Sequence, residues 1–277
     1  MSYYKLLNLK KEPFSSSPDP AFLYMSESHK KTFFSTEIAI RLQRGLSVII
    51  GAIGTGKTTL SRKLFQSFNQ EENFIFHMVL DPSQNSEYQF TLSLARNMGI
   101  KTGTRSIVIL KELIEQYLFK KVVEEKNTVV LVIDESQKLS LECLEVLRVL
   151  LNYETNEYKM IQVVLLGQIE LLPKIKKLPN FLDRICVKNV IAPLDELDTK
   201  RMIEFRLKEA GYTGEFPLFT EDAIKEIYLH SKGYPRKIIF LCHAAFEILL
   251  MEEKTVVDRK IVQSVLEKES QFLAYAV

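Results

Sequence analysis

The spacing of three glycines, a lysine and a threonine within residues 51–58 is the feature of this chain best suited to chemistry. The stretch reads GAIGTGKT and fits the pattern G-x-x-x-x-G-K-S/T. Glycines let a backbone wrap around phosphate groups, and the amides at the start of a following helix face the anion. In such a loop Lys57 reaches the terminal phosphates and the Thr58 hydroxyl ligates Mg²⁺. The stretch therefore predicts an ATP and Mg²⁺ site.

The surroundings of this loop support the prediction. An apolar run at 46–50 precedes the loop and an amphipathic helical pattern at 57–69 follows it. The structural alternative is a plain glycine turn between a strand and a helix. The residues expected to contact the nucleotide are consecutive: Gly51, Ala52, Ile53, Gly54, Thr55, Gly56, Lys57, Thr58 and Thr59.

Two adjacent carboxylates, Asp134 and Glu135, directly follow the apolar run VVLVI at 129–133. At the carboxyl edge of a sheet Asp134 can hold the hydration shell of Mg²⁺. Glu135 can polarise a water molecule for attack on the γ-phosphate, a base that a small-molecule kinase does not need. The pair therefore predicts ATP hydrolysis; in the alternative it merely opens a loop.

Three polar residues further along the chain are candidates for contact with the γ-phosphate. Gln168 ends the apolar run IQVVLLG, where its side chain could sense that phosphate or could simply terminate a strand. Arg184 and Arg236 are candidates for neutralising phosphate charge. Taken alone, each arginine could equally be a surface salt-bridge partner.

The elements that must position these residues can be read from the hydrophobic pattern. Near-continuous apolar runs alternate with helical stretches up to about Pro193, which predicts a parallel sheet covered by helices on both faces. The run at 74–80 suggests a strand inserted between the two motif-bearing strands, as in additional-strand P-loop ATPases. The predicted strands are 46–50, 74–80, 129–133 and 161–167, and the helices between them are 57–69, 87–98, 106–125 and 140–151.

Helices flank this α/β region. A helical pattern over 27–44 places Phe33, Phe34, Ile38 and Leu42 on one face. After Pro193 only amphipathic helices follow, with Thr220 predicted as an N-cap and Gly211 and Gly233 at C-terminal caps. Those helices are 195–211, 220–233, 235–251 and 258–272. The predicted domains are an N-terminal arm (1–25), an α/β nucleotide-binding domain (26–193) and a helical lid (194–277).

Bulk composition is that of an ordinary soluble protein. Of 277 residues, 46% are hydrophobic and 26% charged, and the net charge of +2 does not indicate a dedicated nucleic-acid binder. The N-terminal stretch MSYYKLLNLKKEPF contains no apolar run of signal-peptide length, and the apolar stretch 238–251 is too short and too polar to span a bilayer. We therefore expect a cytoplasmic protein, associated with the inner membrane only through partners.

The cysteines and histidines show no metal-binding or redox spacing. Cys143, Cys186 and Cys242 are expected to be small buried hydrophobes in a reducing compartment. His77 falls in a predicted buried strand and is expected to be a core histidine with satisfied hydrogen bonds.

Over nearly its whole length the chain resembles AAA+ ATPases of the ExeA (general secretion pathway protein A) type. The most specific part is the opening YYKLLNLKKEPFSSSPDPAFLY, with its Pro-Phe and Pro-Asp-Pro elements. Further matches are ESHKKTFFSTEIAI, VLRVLLNYETNEYKMIQVVLLGQIEL, LDRI followed by APLD, and SKGYPRKIIFLCHAA. The resemblance implies that Gln168 is the sensor 1 residue, Arg184 a finger acting on the neighbouring subunit's site, and Arg236 the sensor 2 residue. It also implies a ring or helical homo-oligomer, hexamer-like, that remodels a protein partner of a secretion- or pilus-type envelope machine.

Two other functions remain open at this point. The related TniB, TnsC and MuB transposition ATPases share the core and assemble on DNA. The basic stretch 171–188 could contact phosphates in such a role, or it could be a solvated or subunit-contact face. A nucleotide-dependent scaffold without hydrolysis is the third reading, against which Glu135 argues.

Overall fold

The computed structural model describes residues 7, 9–84, 86–214 and 216–275, and the chain forms two compact units. The larger unit contains residues 27–53 and 60–191. The other contains the described residues before Glu27, the loop at 54–59 and residues 192–275. Much of the predicted N-terminal arm thus shares a unit with the C-terminal helices. Residues 1–6 and 8 of the arm lie outside the described residues, and the domain boundaries given above stay a prediction.

The larger unit is built on a five-stranded sheet with the order β2-β3-β4-β1-β5, in which every neighbouring pair is parallel. All residues of β1, β3 and β4 are buried. Strands covered on both faces favour apolar side chains at nearly every position, which explains why these strands read as near-continuous apolar runs. The strands are β1 (Leu46–Gly51), β2 (Phe74–Val79), β3 (Thr128–Ile133), β4 (Ile161–Gly167) and β5 (Ile185–Ile191).

The strand inserted between the two motif-bearing strands is β4, not β2. The order confirms an additional-strand sheet, since one strand separates β1 from β3. The prediction that the 74–80 run fills this place is wrong, because β2 lies at the sheet edge and is half-buried throughout. Parallel strands are joined by crossovers, so their order along the chain does not fix their order in the sheet.

Strand β5 escaped the sequence analysis, which placed no strand after residue 167. It forms the other edge of the sheet, and exposed and half-buried residues alternate between its buried ends. Lys188 and Asn189 interrupt its apolar character. The expectation of a buried Cys186 is wrong for the same reason, since this residue lies on β5 and is exposed. Cys143 and Cys242 are buried as predicted.

Helices cover the sheet at the predicted places. Ser86, Ser106 and Ser140 each accept a hydrogen bond from the amide three residues ahead, which explains where three of these helices begin. The helices are α1 (Glu27–Arg41), α2 (Lys57–Ser67), α3 (Glu87–Asn97), α4 (Ile107–Phe119, continued by a π-helical turn, Lys120–Glu124), α5 (Leu141–Leu150), α6 (Leu171–Lys176) and α7 (Pro179–Leu182).

The buried face of α1 differs from the predicted one. Phe33 is buried, but Phe34, Ile38 and Leu42 are each more than half exposed. The face that packs inward is instead rich in small and polar side chains, which a search for apolar spacing overlooks. Its residues are His29, Thr32, Phe33, Thr36, Ala39 and Ile40.

The second unit is helical. Asp195 and Thr220 cap α8 and α9 by accepting backbone amides, and the cap at Thr220 was predicted. Gly211 and Gly233 follow these two helices with left-handed φ angles of +92° and +73°, as their predicted cap positions require. The helices are α8 (Glu196–Glu209), α9 (Glu221–Ser231), α10 (Pro235–Met251) and α11 (Arg259–Tyr275).

The described part of the N-terminal arm completes the core of this helical unit. Leu9, Phe14 and Phe22 are buried among its apolar side chains, and the Phe14 ring packs edge-on against Phe246 at 5.2 Å. The buried guanidinium of Arg206 donates hydrogen bonds to the carbonyls of Pro13, Ser15 and Phe22, at 2.6, 3.1 and 2.9 Å. One α8 side chain therefore fixes three points of the arm.

Candidate functional site

The glycine-rich loop begins where β1 ends at Gly51 and finishes where α2 begins at Lys57. Gly54 and Gly56 have φ angles of +79° and +94°, in the left-handed region that glycine adopts without strain. Thr55 and Lys57 are buried. The local structure is thus the predicted strand–loop–helix, with the first amides of α2 opening onto the loop.

Arg236 lies against this loop. Its backbone amide donates to the Gly54 carbonyl at 3.2 Å. A Cβ atom at Gly54 would lie only 2.8 Å from the Arg236 Cβ. Pro235 and Arg236 open α10, so the first turn of this helix packs directly on the glycine loop. The structure therefore brings together two of the sequence-predicted nucleotide contacts, which lie far apart in the chain.

Asp134 directly follows β3 and is 3% exposed. Its Oδ1 atom accepts the backbone amide of Glu135 at 2.9 Å. Because Ile133 of β3 pairs with Leu165 of β4, and Gly167 of β4 pairs with Ile50 of β1, the carboxyl ends of these three strands lie side by side. The carboxylate pair and the start of the glycine loop are therefore both at the carboxyl end of the sheet.

The Glu135 carboxylate is held in a small polar network. Its Oε2 atom accepts from Gln168 Nε2 at 3.5 Å, so the predicted base and the predicted γ-phosphate sensor are neighbours. A closer donor is Gln137 Nε2, at 2.7 Å. The sequence pattern assigned no role to Gln137, because its approach to Glu135 depends on how the turn after β3 folds. Glu135 itself has a left-handed backbone (φ 50°, ψ 33°), which is costly for a residue with a side chain.

Arg184 lies just before β5 in the same unit, and its guanidinium is engaged within the subunit. It donates to the Asn180 carbonyl at 2.6 Å and to the Asn152 side chain. Lys174, from the same basic stretch, donates to the carbonyls of Gln137 and Leu139. Two basic side chains of the stretch 171–188 are therefore already hydrogen-bonded within the protein. The exposed lysines of the stretch are Lys176, Lys177 and Lys188.

His77 plays a structural part on the edge strand β2. Its Nδ1 lies 3.2 Å from the Asn97 carbonyl and its Nε2 lies 2.9 Å from the Tyr117 hydroxyl. Burial lowers the pKa of His77, and the bond to the Asn97 carbonyl only partly opposes that shift. Both ring nitrogens have partners, as predicted, but the expectation of a core histidine is wrong, because β2 is an edge strand and His77 is half-buried. No cluster of three or more His, Cys, Asp or Glu residues that could hold a metal occurs in the described ranges.

The chain is similar to known proteins in both sequence and fold. The AAA domain family matches residues 40–175. General secretion pathway protein A of Aeromonas hydrophila is 34% identical over 252 residues, which cover 88% of this chain and 44% of that protein. Solved structures that share the fold include those of two ORC proteins. The ORC2 protein of Aeropyrum pernix (ADPNP–ADP complexes) has TM-score 0.65, 14% identity and coverage of 93% of this chain and 71% of that chain. Drosophila ORC bound to DNA has TM-score 0.68, 19% identity and coverage of 96% and 65%.

The chain contains an AAA domain and has the fold of AAA+ P-loop proteins. The predicted resemblance to general secretion pathway protein A and the predicted fold class are confirmed. The AAA domain match contains the glycine loop, the carboxylate pair and Gln168, and ends before Arg184 and Arg236. This AAA+ protein spans less than half of its secretion relative. None of the helices in the described ranges is long and apolar enough to cross a membrane.

Proposed function

We propose that this AAA+ protein hydrolyses ATP with Mg²⁺. The proposal rests chiefly on the contact between Glu135 and Gln168, at the carboxyl end of the sheet, where β1 leads into the glycine loop. A carboxylate that can accept a water proton, beside an amide that can bond a phosphate oxygen, is a suitable pair for hydrolysis. Lys57 and Arg236 would contact phosphate, through the loop and through the first turn of α10 respectively.

The residues present fit Mg²⁺ and a triphosphate. Gly54 and Gly56 have left-handed φ angles that let the loop curve around an anion, and Lys57 opens a helix whose N-terminal amides attract anions. Thr58 and Asp134 would supply oxygen ligands of the kind that Mg²⁺ prefers. When bound, the metal would neutralise phosphate charge during transfer.

Arg184 is proposed to complete the site of a neighbouring subunit, so that turnover depends on a homo-oligomer. Its bonds to Asn152 and Asn180 would hold the guanidinium on the surface of its own subunit. A planar guanidinium held this way is suited to stabilise charge on a transferring phosphoryl group.

The decisive experiment compares the ATP turnover of Arg184→Ala alone, Lys57→Ala alone and a mixture of the two variants. Each variant lacks a different half of the shared site, so mixing should restore part of the activity. Full activity of Arg184→Ala alone would contradict the finger assignment.

The proposed cellular task is remodelling or assembly of a protein partner in a secretion- or pilus-type envelope system. It is supported by the 34% identity to general secretion pathway protein A. An ATP-dependent adaptor that assembles on DNA is the second candidate. The exposed Lys176, Lys177 and Lys188 favour it, although Lys174 is bonded to carbonyls and is a poor phosphate contact.

ATP turnover and nucleotide binding, measured in two variants, test the proposed hydrolysis. ATP turnover should fall about 100-fold or more in Glu135→Gln with nucleotide binding retained, because only the base is removed. Lys57→Ala should lose nucleotide binding. Equal turnover in the wild type and Glu135→Gln would refute hydrolysis through this site. A scaffold without hydrolysis would show nucleotide binding and assembly but no turnover in the wild type.

Mass photometry of Glu135→Gln with ATP then separates the two tasks. A closed oligomer of fixed size that ignores duplex DNA supports the protein-remodelling task. Oligomers that form or grow only on DNA support the adaptor instead, and Lys176→Glu with Lys177→Glu should then abolish that growth.

A further inference from the structure

The carboxylate of Glu135 has two side-chain amide donors at unequal distances. Gln137 Nε2 lies 2.7 Å from Oε2, whereas Gln168 Nε2 lies 3.5 Å from the same atom, at the limit of a hydrogen bond. The dominant side-chain restraint on the carboxylate therefore comes from Gln137, a residue outside the predicted nucleotide and metal contacts.

The orientation of the Gln137 amide is fixed by its second bond. Its Oε1 atom accepts the backbone amide of Gln168 at 3.1 Å. A flipped amide would set its oxygen against the Glu135 carboxylate and its NH₂ group against the Gln168 N–H, so both contacts would become repulsive. Gln137 therefore links the end of β4 to the carboxylate in one orientation only.

The turn Ser136–Lys138, which carries Gln137, is also held by contacts from α6 and from the end of β4. Lys174 on α6 donates to the backbone carbonyls of Gln137 and Leu139, at 2.6 and 2.7 Å. At Gly167 an added Cβ would lie 2.7 Å from Ser136 Oγ, so the turn packs closely against the end of β4. Gln137 is thus a clamped bridge, with its backbone held by α6 and its side chain by Gln168.

We propose that Gln137 is a positioning residue for ATP hydrolysis, which holds the Glu135 carboxylate where it can accept a proton from the attacking water. The proposal rests on the proposed function of Glu135. Lys174 acts one step further away, by holding the turn from which Gln137 reaches the carboxylate. Catalysis is sensitive to small displacements of a reacting group, so loss of the bridge should affect turnover more than nucleotide binding.

The first test is Gln137→Met, which keeps the length of the side chain and removes both hydrogen bonds. In the full chain kcat should fall about 10- to 100-fold. KM for ATP, affinity for a fluorescent ATP analogue and the melting temperature should stay close to the wild type. Gln137→Glu, which sets a second carboxylate against Glu135, should show the same split. In a Glu135→Gln background Gln137→Met should cause no further loss, because the group that it positions is already removed.

Lys174→Met tests the outer part of the bridge against a matched control. It should lower kcat in the same direction but less than Gln137→Met. Lys101→Met removes an exposed lysine in the segment between α3 and α4 and should leave kcat unchanged.

Failure of the inference is distinguishable from failure of the proposed function. If the wild type turns over ATP and Gln137→Met does so at the same kcat, only the positioning role is overturned. The role is also overturned if kcat, analogue affinity and melting temperature all fall together, since the effect is then structural. If the wild type turns over no ATP, the proposed function fails and the positioning role falls with it.

Discussion

Gly233 lies directly against the backbone of Leu194. The Leu194 amide donates to the Gly233 carbonyl at 2.9 Å, and a Cβ atom on Gly233 would stand 1.8 Å from the Leu194 oxygen. The turn between α9 and α10 is therefore packed onto the segment that enters α8. Since Arg236 follows this turn, the same contact sets where α10 begins relative to that segment.

Gly233→Ala is expected to destabilise the helical unit strongly, and Gly99→Ala provides the matched control. Both glycines have similar left-handed φ angles, +73° and +78°, but nothing lies within 4 Å of a Cβ at Gly99. Gly99→Ala should therefore cost only the backbone term of about 1–2 kcal/mol. Gly233→Ala should cost at least about 3 kcal/mol, because backbone must also move. Denaturant titration of both variants measures the difference, and equal losses would show that packing on Leu194 is unimportant.

Arg206→Met should loosen the N-terminal arm. The substitution leaves three main-chain carbonyls without their donor, and we expect a loss on the order of 3 kcal/mol. Burial lowers the pKa of Arg206 to about 10, which leaves it charged at neutral pH. Arg206→Lys should recover little, because an ammonium cannot reproduce the planar fork.

The control for Arg206 is Arg201→Met on the same helix. Arg201 is exposed and its ion pair with Asp198 is 3.7 Å long, so its removal should change stability by less than about 1 kcal/mol. Limited proteolysis should cut the arm faster in Arg206→Met than in the wild type. An arm equally protected in both proteins would contradict the clamp.

His77 should make stability depend on pH in the weakly acidic range. Its pKa in the folded protein is lowered from the ordinary value of 6.5, chiefly by burial. As the pH falls through the ordinary value, His77 takes up a proton in the unfolded chain before it does so in the folded protein. The contribution of neutral His77 to folding stability is therefore present at neutral pH and declines on acidification. Urea titrations at about pH 7.5 and 5.5 should show a smaller decline in His77→Gln than in the wild type. Equal declines would show that other groups carry the effect.

Phe33 and Phe34 form a natural pair of neighbours for testing the buried face of α1. Their rings are 5.4 Å apart, yet Phe33 is 8% exposed and Phe34 is 55% exposed. Phe33→Ala should cost about 3–5 kcal/mol, because it opens a cavity. Phe34→Ala should stay within about 0.5 kcal/mol of the wild type in the isolated chain. The reverse order would mean that the apolar spacing of Phe34, Ile38 and Leu42 does mark the core.

The parts of the fold that the sequence predicted well are those with an unambiguous physical signal. β1, β3 and β4 are buried on both faces and so appear as near-continuous apolar runs. At the start of α9, Thr220 is a favoured N-cap residue and its side chain accepts the Ala223 amide. β5 gave no such signal, because an edge strand tolerates polar residues such as Lys188. The position of β2 in the sheet could not be predicted, since the order of strands along the chain does not determine their order in the sheet.

The candidate site was predictable to a similar extent. The glycine loop and the carboxylate pair are contiguous, so spacing alone reveals them. The approach of Arg236 to Gly54 depends on tertiary packing, and only a family resemblance suggested it. The bridge through Gln137 was invisible, because it requires the left-handed turn at Glu135 and the position of Gln168 together.

The Arg206 clamp also has a consequence for the order of events during synthesis. Phe22 leaves the ribosome 184 residues before the arginine that binds its carbonyl. At ~5–20 residues per second, the arm waits roughly 10–40 s for its partner. All of the sheet and its helices are translated in that interval, so the α/β unit can form while Leu9, Phe14 and Phe22 are still without the core they later join. Through that interval the nascent chain carries exposed aromatic groups that a chaperone could protect.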